Sequence, residues 1–237
     1  MKLQAIFFDL DGTLFNTKKF TEISRIKALE AIKKLGVKIS LIKLYQELQQ
    51  IVKEFGSNYP YHFNRLIARI PQNTLYGVNK SILISAAVIA YHRAKDKFLK
   101  PFPDAIKLLK KLQKTKIIKG IITDGLEVKQ AEKILRLGIY QYINKDAIFI
   151  SDEVGIRKSN PKLFEYVAKK LQLNSRNCIY VGNDFEMDVI PSKNSGFITI
   201  LIDKIGIFST DIPPTDYFVK SFAEIETILK TDFHLEI

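Results

Sequence analysis

Two aspartates separated by one residue, Asp9 and Asp11, follow directly after an apolar run. They lie in the stretch F-F-D-L-D-G-T, Phe7 to Thr13. In an extended chain alternate side chains point the same way, so both carboxylates could converge at the end of a strand, where Gly12 permits a sharp turn. Two carboxylates at such a short distance repel each other. Proteins keep such a pair where it binds a cation or where one carboxyl acts as an acid and the other as a base. The alternative is a turn with incidental aspartates.

A second acidic group follows a later apolar run, in the stretch Y-V-G-N-D-F-E-M-D-V, Tyr180 to Val189. It places Asp184, Glu186 and Asp188 close together in a chain whose formal net charge is +12. Acids at this spacing form either a solvated turn or a site for a cation. The cation is favoured if the first acidic pair arrives at a neighbouring strand end, and Glu186 then remains a solvent-facing residue at a helix start.

Two further polar residues lie at the ends of predicted elements. Thr123 ends a strand in the stretch I-I-T-D-G, and Lys158 precedes a helix in the stretch R-K-S-N-P. Taken singly, a threonine at a strand end is usually a capping hydroxyl, and a lysine before a helix is usually solvated. Four polar motifs in one order, each at the end of a strand or helix, argue against coincidence.

The elements that must position these residues alternate between strand and helix. The apolar runs predict strands over 4–10, 117–123, 147–151, 178–182 and 198–202. The helical patterns between and after them cover 104–113, 128–137, 161–171 and 223–229. Such alternation predicts an α/β fold, a Rossmann-like doubly wound parallel sheet covered by helices on both faces.

A helical segment interrupts this alternation after the first strand. Ile23, Ile26, Leu29 and Ile32 recur at three-residue steps until Gly36 stops the run, and similar repeats follow. We therefore predict a discontinuous α/β core formed by residues 1–16 and 100–237, with an α-helical cap domain inserted at residues 17–99. Such a block usually sits over the carboxyl ends of the strands, where ligands bind.

The excess positive charge belongs to the predicted cap. Residues 17–99 contain 15 basic and 5 acidic residues, whereas the rest of the chain contains 22 and 20. A basic cap would raise the local concentration of an anionic substrate. Nucleic acid is a disfavoured partner, because the sequence has no zinc-ligand spacing, no basic-aromatic recognition motif and no strongly basic tail.

The single cysteine, Cys178, excludes an internal disulfide and fits a reducing compartment. The first apolar run is too short for a secretion signal, and the longest one, at residues 82–91, is too short to span a bilayer. We predict a cytoplasmic protein, monomeric or homodimeric, with no membrane partner.

The stretch D-L-D-G-T resembles the first signature of the haloacid dehalogenase superfamily, in its phosphatase branch. That superfamily carries, in order, a nucleophilic Asp, an acid-base Asp, a Ser or Thr, a Lys and an acidic cluster. Asp9, Asp11, Thr123 and Lys158 match the first four, and G-N-D-F-E-M-D matches the last. The resemblance implies a Mg²⁺-dependent phosphatase in which Asp9 attacks phosphorus and Asp11 serves as acid and then base. True dehalogenases lack this second Asp.

The same resemblance implies that Mg²⁺ is bound by Asp9, by Asp11 through its backbone carbonyl, and by the acidic cluster. Similar proteins carry an acid where this sequence has Asn183, so both Asn183 and Asp184 remain candidate ligands. We favour Asp184 for its charge. Asp188 belongs to the predicted metal site too, behind the direct ligands.

The resemblance also implies residues that bind a small phosphomonoester substrate. The core candidates are Thr123, Asp124, Gly125 and Lys158, through a hydroxyl, backbone N–H groups and a compensating charge. In the predicted cap, the candidates are His62, Arg65 and His92. The alternative for a lone histidine among aromatics is a packed side chain.

The predicted cap is similar to the helical cap of members that act on small phosphorylated metabolites. The stretches G-S-N-Y-P-Y-H-F and V-I-A-Y-H resemble an archaeal subgroup of phosphatases. One activity associated with that subgroup is hydrolysis of glyceraldehyde 3-phosphate, which makes a sugar phosphate of this kind the expected substrate.

Two other functions remain open within related chemistry. A phosphomutase or phosphotransferase would pass the phosphoryl group to a second hydroxyl instead of water. A phosphoacceptor signalling module also combines clustered aspartates, a Thr and a Lys on a parallel sheet. Such modules carry their acceptor Asp on a middle strand, so the position of D-L-D-G-T on the first strand disfavours them.

Overall fold

The computed structural model describes residues 2–75, 77–208 and 213–237. The chain divides into two compact units. The first comprises Met1–Asn16 and Lys100–Ile237, and the second comprises Thr17–Leu99.

The strands of the described residues all lie in the first unit. They are β1 (Ala5–Phe8), β2 (Ile118–Thr123), β3 (Ile148–Ile150), β4 (Cys178–Gly182), β5 (Ile198–Ile202) and β6 (Tyr217–Val219). They form one six-stranded sheet of order β3-β2-β1-β4-β5-β6. Every neighbouring pair is parallel, which confirms the predicted sheet.

The helices of the described residues are distributed between both units. Those of the second unit are α1 (Thr17–Lys34), α2 (Leu41–Phe55), α3 (His62–Arg69) and α4 (Lys80–Phe98). Those of the first unit are α5 (Pro103–Leu112), α6 (Glu127–Arg136), α7 (Ser151–Val154), α8 (Lys162–Lys170), α9 (Ile190–Asn194) and α10 (Phe222–Thr231).

Strand β1 lies at the centre of the sheet, between β2 and β4, where the strand order changes direction. Phe8, its last residue, is level with Ile121 on β2 and with Val181 on β4. The carboxyl ends of these three strands therefore meet at one edge of the sheet. Ligands of open α/β sheets bind at such a crossing point, which makes this edge the candidate site.

Both faces of the sheet are covered by apolar packing. On one face Phe7 and Tyr180 pack with Phe164 of α8, in a cluster of fully or nearly fully buried residues. On the other face Phe8 contacts Phe222 of α10, with ring centroids 6.4 Å apart. Burial on both sides explains why the strand sequences are continuously apolar instead of alternating.

The second unit is helical, as the three-residue periodicity of its sequence indicates. Ser40 begins α2 by accepting a hydrogen bond from the N–H of Lys43, and Asn79 begins α4 in the same way. The helices enclose a core of their own, which includes Leu29, Ile32, Leu44, Leu48, Ile51, Leu66, Ile67 and Leu83. Among the residues that the structure describes, no helix has the length and apolar character needed to cross a membrane.

Three short elements were not predicted from the sequence. Strand β6 has only three residues and lies at the edge of the sheet, so its apolar pattern is too brief to read. Helix α7 is a single turn that begins at Ser151, where a strand was expected to continue. Residues Phe185–Val189 form a π-helical turn, a rare conformation that propensity does not predict.

Candidate active site

Asp9 follows β1 directly and is buried at the carboxyl end of that strand. Its N–H donates to the carbonyl oxygen of Val181 at 2.8 Å, which fixes its backbone against β4. The residue is 2% exposed, and its Oδ1 accepts a hydrogen bond from Lys158 Nζ at 2.6 Å. The hydroxyl of Thr13 lies 3.3 Å from the second carboxylate oxygen. The predicted nucleophile is thus held from two sides.

Lys158 lies between two carboxylates. Its Nζ is 2.6 Å from Asp9 Oδ1 and 2.7 Å from Asp188 Oδ1, and the lysine is only 5% exposed. Burial alone would lower the pKa of Lys158, but Asp188 and Asp9 together hold that pKa above its ordinary value. The ammonium group therefore stays charged, and the three groups together carry one net negative charge when both aspartates are ionised.

The carboxylate of Asp188 is fully engaged. Besides Lys158, Oδ1 accepts from the hydroxyl of Tyr180 at 3.1 Å, and Oδ2 accepts from the N–H groups of Asn183 at 3.0 Å and Asp184 at 2.9 Å. A Cβ at Gly182 would lie 2.3 Å from the carboxyl carbon of Asp188, so β4 has to end in glycine. This arrangement leaves Asp188 behind Lys158 and does not offer it as a direct metal ligand.

Asn183, not Asp184, is the residue that the structure brings to Asp9. Asn183 Oδ1 accepts a hydrogen bond from Thr13 Oγ1 at 2.9 Å, and the same hydroxyl contacts Asp9. Asp184 is exposed, and its Oδ1 accepts from the N–H of Met187 at 2.9 Å at the start of the π-helical turn. The geometry thus differs from the preference for Asp184, because the carboxylate of Asp184 caps the π-helical turn.

The side chain of Asn183 passes directly over the turn after the first motif. A Cβ at Gly12 would lie 2.7 Å from Asn183 Nδ2, and Gly12 has a φ of +87°. Both the backbone conformation and the space require glycine here. Gly12 therefore leaves space for the side chain of Asn183 and also allows the turn.

Asp11, the predicted acid and base, contacts helix α6. Lys133 Nζ lies 2.7 Å from its Oδ1 and 2.6 Å from its Oδ2, and Gln130 Nε2 donates to its Oδ2 at 3.0 Å. Sequence reasoning missed both partners, together with Thr13 and Tyr180. The three-residue spacing of Gln130 and Lys133, one turn after the Thr123 motif, is the signal that could have found them.

Thr123 ends β2 with a buried hydroxyl. Among the described residues, its Oγ1 has no hydrogen-bond partner. A buried hydroxyl without a partner is costly, and one at a ligand-binding edge is explained by a ligand oxygen that it would bind. The geometry therefore suits the predicted contact between Thr123 and a substrate.

Asp124 and Gly125 make contacts within the protein. Asp124 Oδ1 accepts from the N–H of Lys158 at 3.2 Å, and its Oδ2 accepts from Arg157 at 2.7 Å. The N–H of Gly125 donates to Ser151 Oγ at 3.0 Å. Asp124 thus fixes the loop that presents Lys158, and the N–H of Gly125 is engaged within the protein. Contact with substrate stays a prediction for both residues.

His62 and Arg65 belong to the second unit, where His62 is half-buried and Arg65 is exposed. His62 Nε2 is 2.9 Å from the carbonyl oxygen of Gly56. Arg65 Nε donates to the hydroxyl of Tyr59 at 3.0 Å, and its guanidinium lies over the ring of Phe55, 5.3 Å from the centroid. These contacts match the packed alternative for His62, and contact with substrate stays a prediction for both.

The electrostatics of the site centre on Asp9. Burial raises the pKa of Asp9 from 3.8 to about 7, against the lowering effect of Lys158 and with a further rise from Asp188 and Asp11. Burial thus outweighs the effect of Lys158 on the pKa of Asp9. Over the described residues, no three His, Cys, Asp or Glu side chains cluster so as to hold a metal ion. A cation here would need amide and backbone oxygens besides Asp9.

Comparison with known proteins places the chain in a family. The family model for haloacid dehalogenase-like hydrolases matches residues 3–196. The chain therefore belongs to the haloacid dehalogenase-like hydrolases, which confirms the resemblance drawn from the sequence and the prediction of a hydrolase. Phosphatases of this family are generally Mg²⁺-dependent.

Two relatives and one solved structure are similar to this chain over nearly its whole length. The chain is 37% identical to a glyceraldehyde 3-phosphate phosphatase from Methanopyrus kandleri, over 93% of this chain and 92% of that protein. It is 38% identical to a protein of the same name from Pyrococcus furiosus, over 97% of this chain and 92% of that one. The structure of a HAD phosphatase from Thermococcus onnurineus covers 96% of this chain and 98% of its own at a TM-score of 0.68 and 22% identity, which shows the shared fold.

The raised pKa of Asp9 predicts how stability depends on pH in EDTA. Because the folded protein binds a proton that the unfolded chain releases, the free energy of unfolding falls as pH rises from about 4 to about 7. Asp9→Asn removes this effect. We therefore compare the free energies of unfolding of Asp9→Asn and the wild type by urea unfolding at about pH 5 and about pH 8. The difference should shift in favour of Asp9→Asn by ~1 kcal/mol or more from the lower to the higher pH.

The matched control is Asp146→Asn, which changes an exposed carboxyl of the same unit. Its difference from the wild type should be the same at both pH values. An equally constant difference for Asp9→Asn would show that the Asp9 carboxyl is not perturbed.

Proposed function

We propose that the protein is a Mg²⁺-dependent phosphatase that hydrolyses a small phosphorylated metabolite, with glyceraldehyde 3-phosphate or a similar sugar phosphate as its substrate. One observation carries the proposal. The Asp9 carboxylate is held by Lys158 at the carboxyl end of the central strand. The buried hydroxyl of Thr123 lies at the same sheet edge and has no hydrogen-bond partner among the residues that the structure describes. The names of the archaeal relatives support the substrate class.

The residues at the site fit Mg²⁺ by their chemistry. Hard cations prefer oxygen ligands, and the carboxylate of Asp9, the backbone carbonyl of Asp11 and the side-chain oxygen of Asn183 would supply them. The burial of Asp9 is a second sign: it raises the pKa of Asp9 despite Lys158, and a bound cation would offset the cost of burying that charge. When bound, Mg²⁺ would neutralise charge on both the carboxylate and the phosphate.

The protein's own groups then account for two steps. An Asp9 oxygen bonds to phosphorus while the bond to the leaving oxygen breaks, and the proton of Asp11 passes to that oxygen. The product is an aspartyl phosphate on Asp9. Water then attacks phosphorus and gives a proton to Asp11 as the bond to Asp9 breaks. Lys158 offsets charge throughout, and Thr123 would donate a hydrogen bond to a phosphoryl oxygen.

We further propose that the substrate is a small phosphorylated compound and that the protein acts in the cytoplasm as a monomer or homodimer. The single Cys178 allows no internal disulfide, which fits a reducing compartment. Burial raises the pKa of its thiol to about 12 and keeps the thiol unreactive.

Phosphate release is the direct test of this function. Purified protein with Mg²⁺ should release inorganic phosphate from glyceraldehyde 3-phosphate or another member of a panel of sugar phosphates. Asp9→Asn removes the nucleophile and should lower kcat by about a thousandfold or more, whereas Asp146→Asn should leave it unchanged. No release across the panel, or an Asp9→Asn variant as active as the wild type, would rule the function out.

The metal ligand can be assigned by four substitutions and calorimetric titration with Mg²⁺. Asn183→Ala should weaken Mg²⁺ binding by about tenfold or more, because a direct oxygen ligand is lost. Asn183→Asp should restore or strengthen it. Asp184→Asn keeps the acceptor for the N–H of Met187 and should change Mg²⁺ binding by less than about twofold.

The control for surface charge is Glu186→Gln, an exposed acid in the same loop. It should match Asp184→Asn in this titration. Loss of binding in Asp184→Asn with normal binding in Asn183→Ala would assign the metal to Asp184 instead.

A further inference from the structure

Helix α6 presents two side chains to Asp11 from one face. Gln130 and Lys133 are three residues apart, so they lie one above the other on the helix. Together they occupy both oxygens of the Asp11 carboxylate, at 3.0 Å from Gln130 and at 2.6 and 2.7 Å from Lys133. Asp11 is thus held by donors on an element that follows β2, not by its own loop alone.

Gln130 is fixed by a second contact. Its Nε2 also donates to the carbonyl oxygen of Asp124 at 2.7 Å, and the residue is only 4% exposed. A Cβ at Gly125 would lie 2.5 Å from this nitrogen, so the loop after β2 has glycine where the amide packs against it. One amide group therefore connects Asp11 with Asp124, in the loop that follows Thr123 at the end of β2.

This arrangement has little value for stability alone. The side chains of Lys133 and Asp11 are 19% and 27% exposed, and ion pairs that reach solvent contribute little to folding. Both partners bind the carboxylate through hydrogen-bond donors. Lys133 and Gln130 thus hold the Asp11 carboxylate in one fixed orientation through contacts to both of its oxygens.

We propose that Lys133 and Gln130 are positioning residues for the second half of the reaction, an inference that rests on the proposed phosphatase function. They hold the Asp11 carboxylate where it takes a proton from the attacking water. The water oxygen bonds to phosphorus, the bond between phosphorus and Asp9 breaks, and the proton is transferred to Asp11. Formation of the aspartyl phosphate depends less on them, above all when the leaving group departs without a proton.

The test separates the two steps with p-nitrophenyl phosphate, whose leaving group needs no proton. Lys133→Met and Gln130→Met should each lower steady-state kcat by about tenfold or more. The first turnover should still release p-nitrophenol within about threefold of the wild-type rate, so that a burst appears and phosphorylated protein accumulates. Lys133→Arg should recover part of the turnover.

Two controls address a merely structural role. Arg136→Met breaks another ion pair of α6, with Glu132, and should show neither slower turnover nor a burst. In an Asp11→Asn background, Lys133→Met should lower turnover by less than about twofold further, because its effect passes through Asp11.

The outcomes distinguish this inference from the proposed function. A wild-type protein that releases no phosphate from any ester refutes the phosphatase function and this inference with it. An active wild type whose Lys133→Met and Gln130→Met variants turn over normally refutes only the positioning role. Equal slowing of the burst and of turnover, or an undiminished effect in the Asp11→Asn background, would also overturn it.

Discussion

The site is organised around one buried ammonium group between two carboxylates. Burying a charge is unfavourable unless it is paired and hydrogen-bonded, and removing one member of such a group leaves an uncompensated charge. Lys158 meets this requirement with Asp9 and Asp188 at 2.6 and 2.7 Å. The adjacency of β1 and β4 brings Asp9, which follows β1, and Asp188, in the turn after β4, to the same lysine.

The same constraint shapes the loop after β4. Asp188 has to reach Lys158 while the chain turns away from the sheet, and it does so by accepting the N–H groups of Asn183 and Asp184 at its second oxygen. The π-helical turn at Phe185–Val189 accommodates this return, with Asp184 capping its start. Asn183 is left facing Thr13 and Asp9, so the choice of metal ligand in the proposal follows from how Asp188 is held.

The sequence predicts much of this arrangement because each strand and each motif is recognised within a short stretch of residues. The alternation of apolar runs predicts the parallel sheet, and the order of four motifs predicts Asp9, Thr123 and Lys158 near one edge. Charge alone favours Asp184 over Asn183, whereas the structure turns Asn183 toward Thr13 and Asp9. A one-residue difference in a turn decides which side chain faces inward. The pairing of Asp11 with Lys133 joins residues far apart in the chain, which only the packed structure shows.

The central claim is that Asp9 is the nucleophile, and trapping the intermediate tests it most directly. Wild-type protein with Mg²⁺ and substrate, quenched in acid during turnover and digested, should carry a phosphoryl group on the peptide that contains Asp9, labile to hydroxylamine as an acyl phosphate is. Phosphate release in the same experiment with the phosphoryl group on another peptide, or on none, would contradict the account.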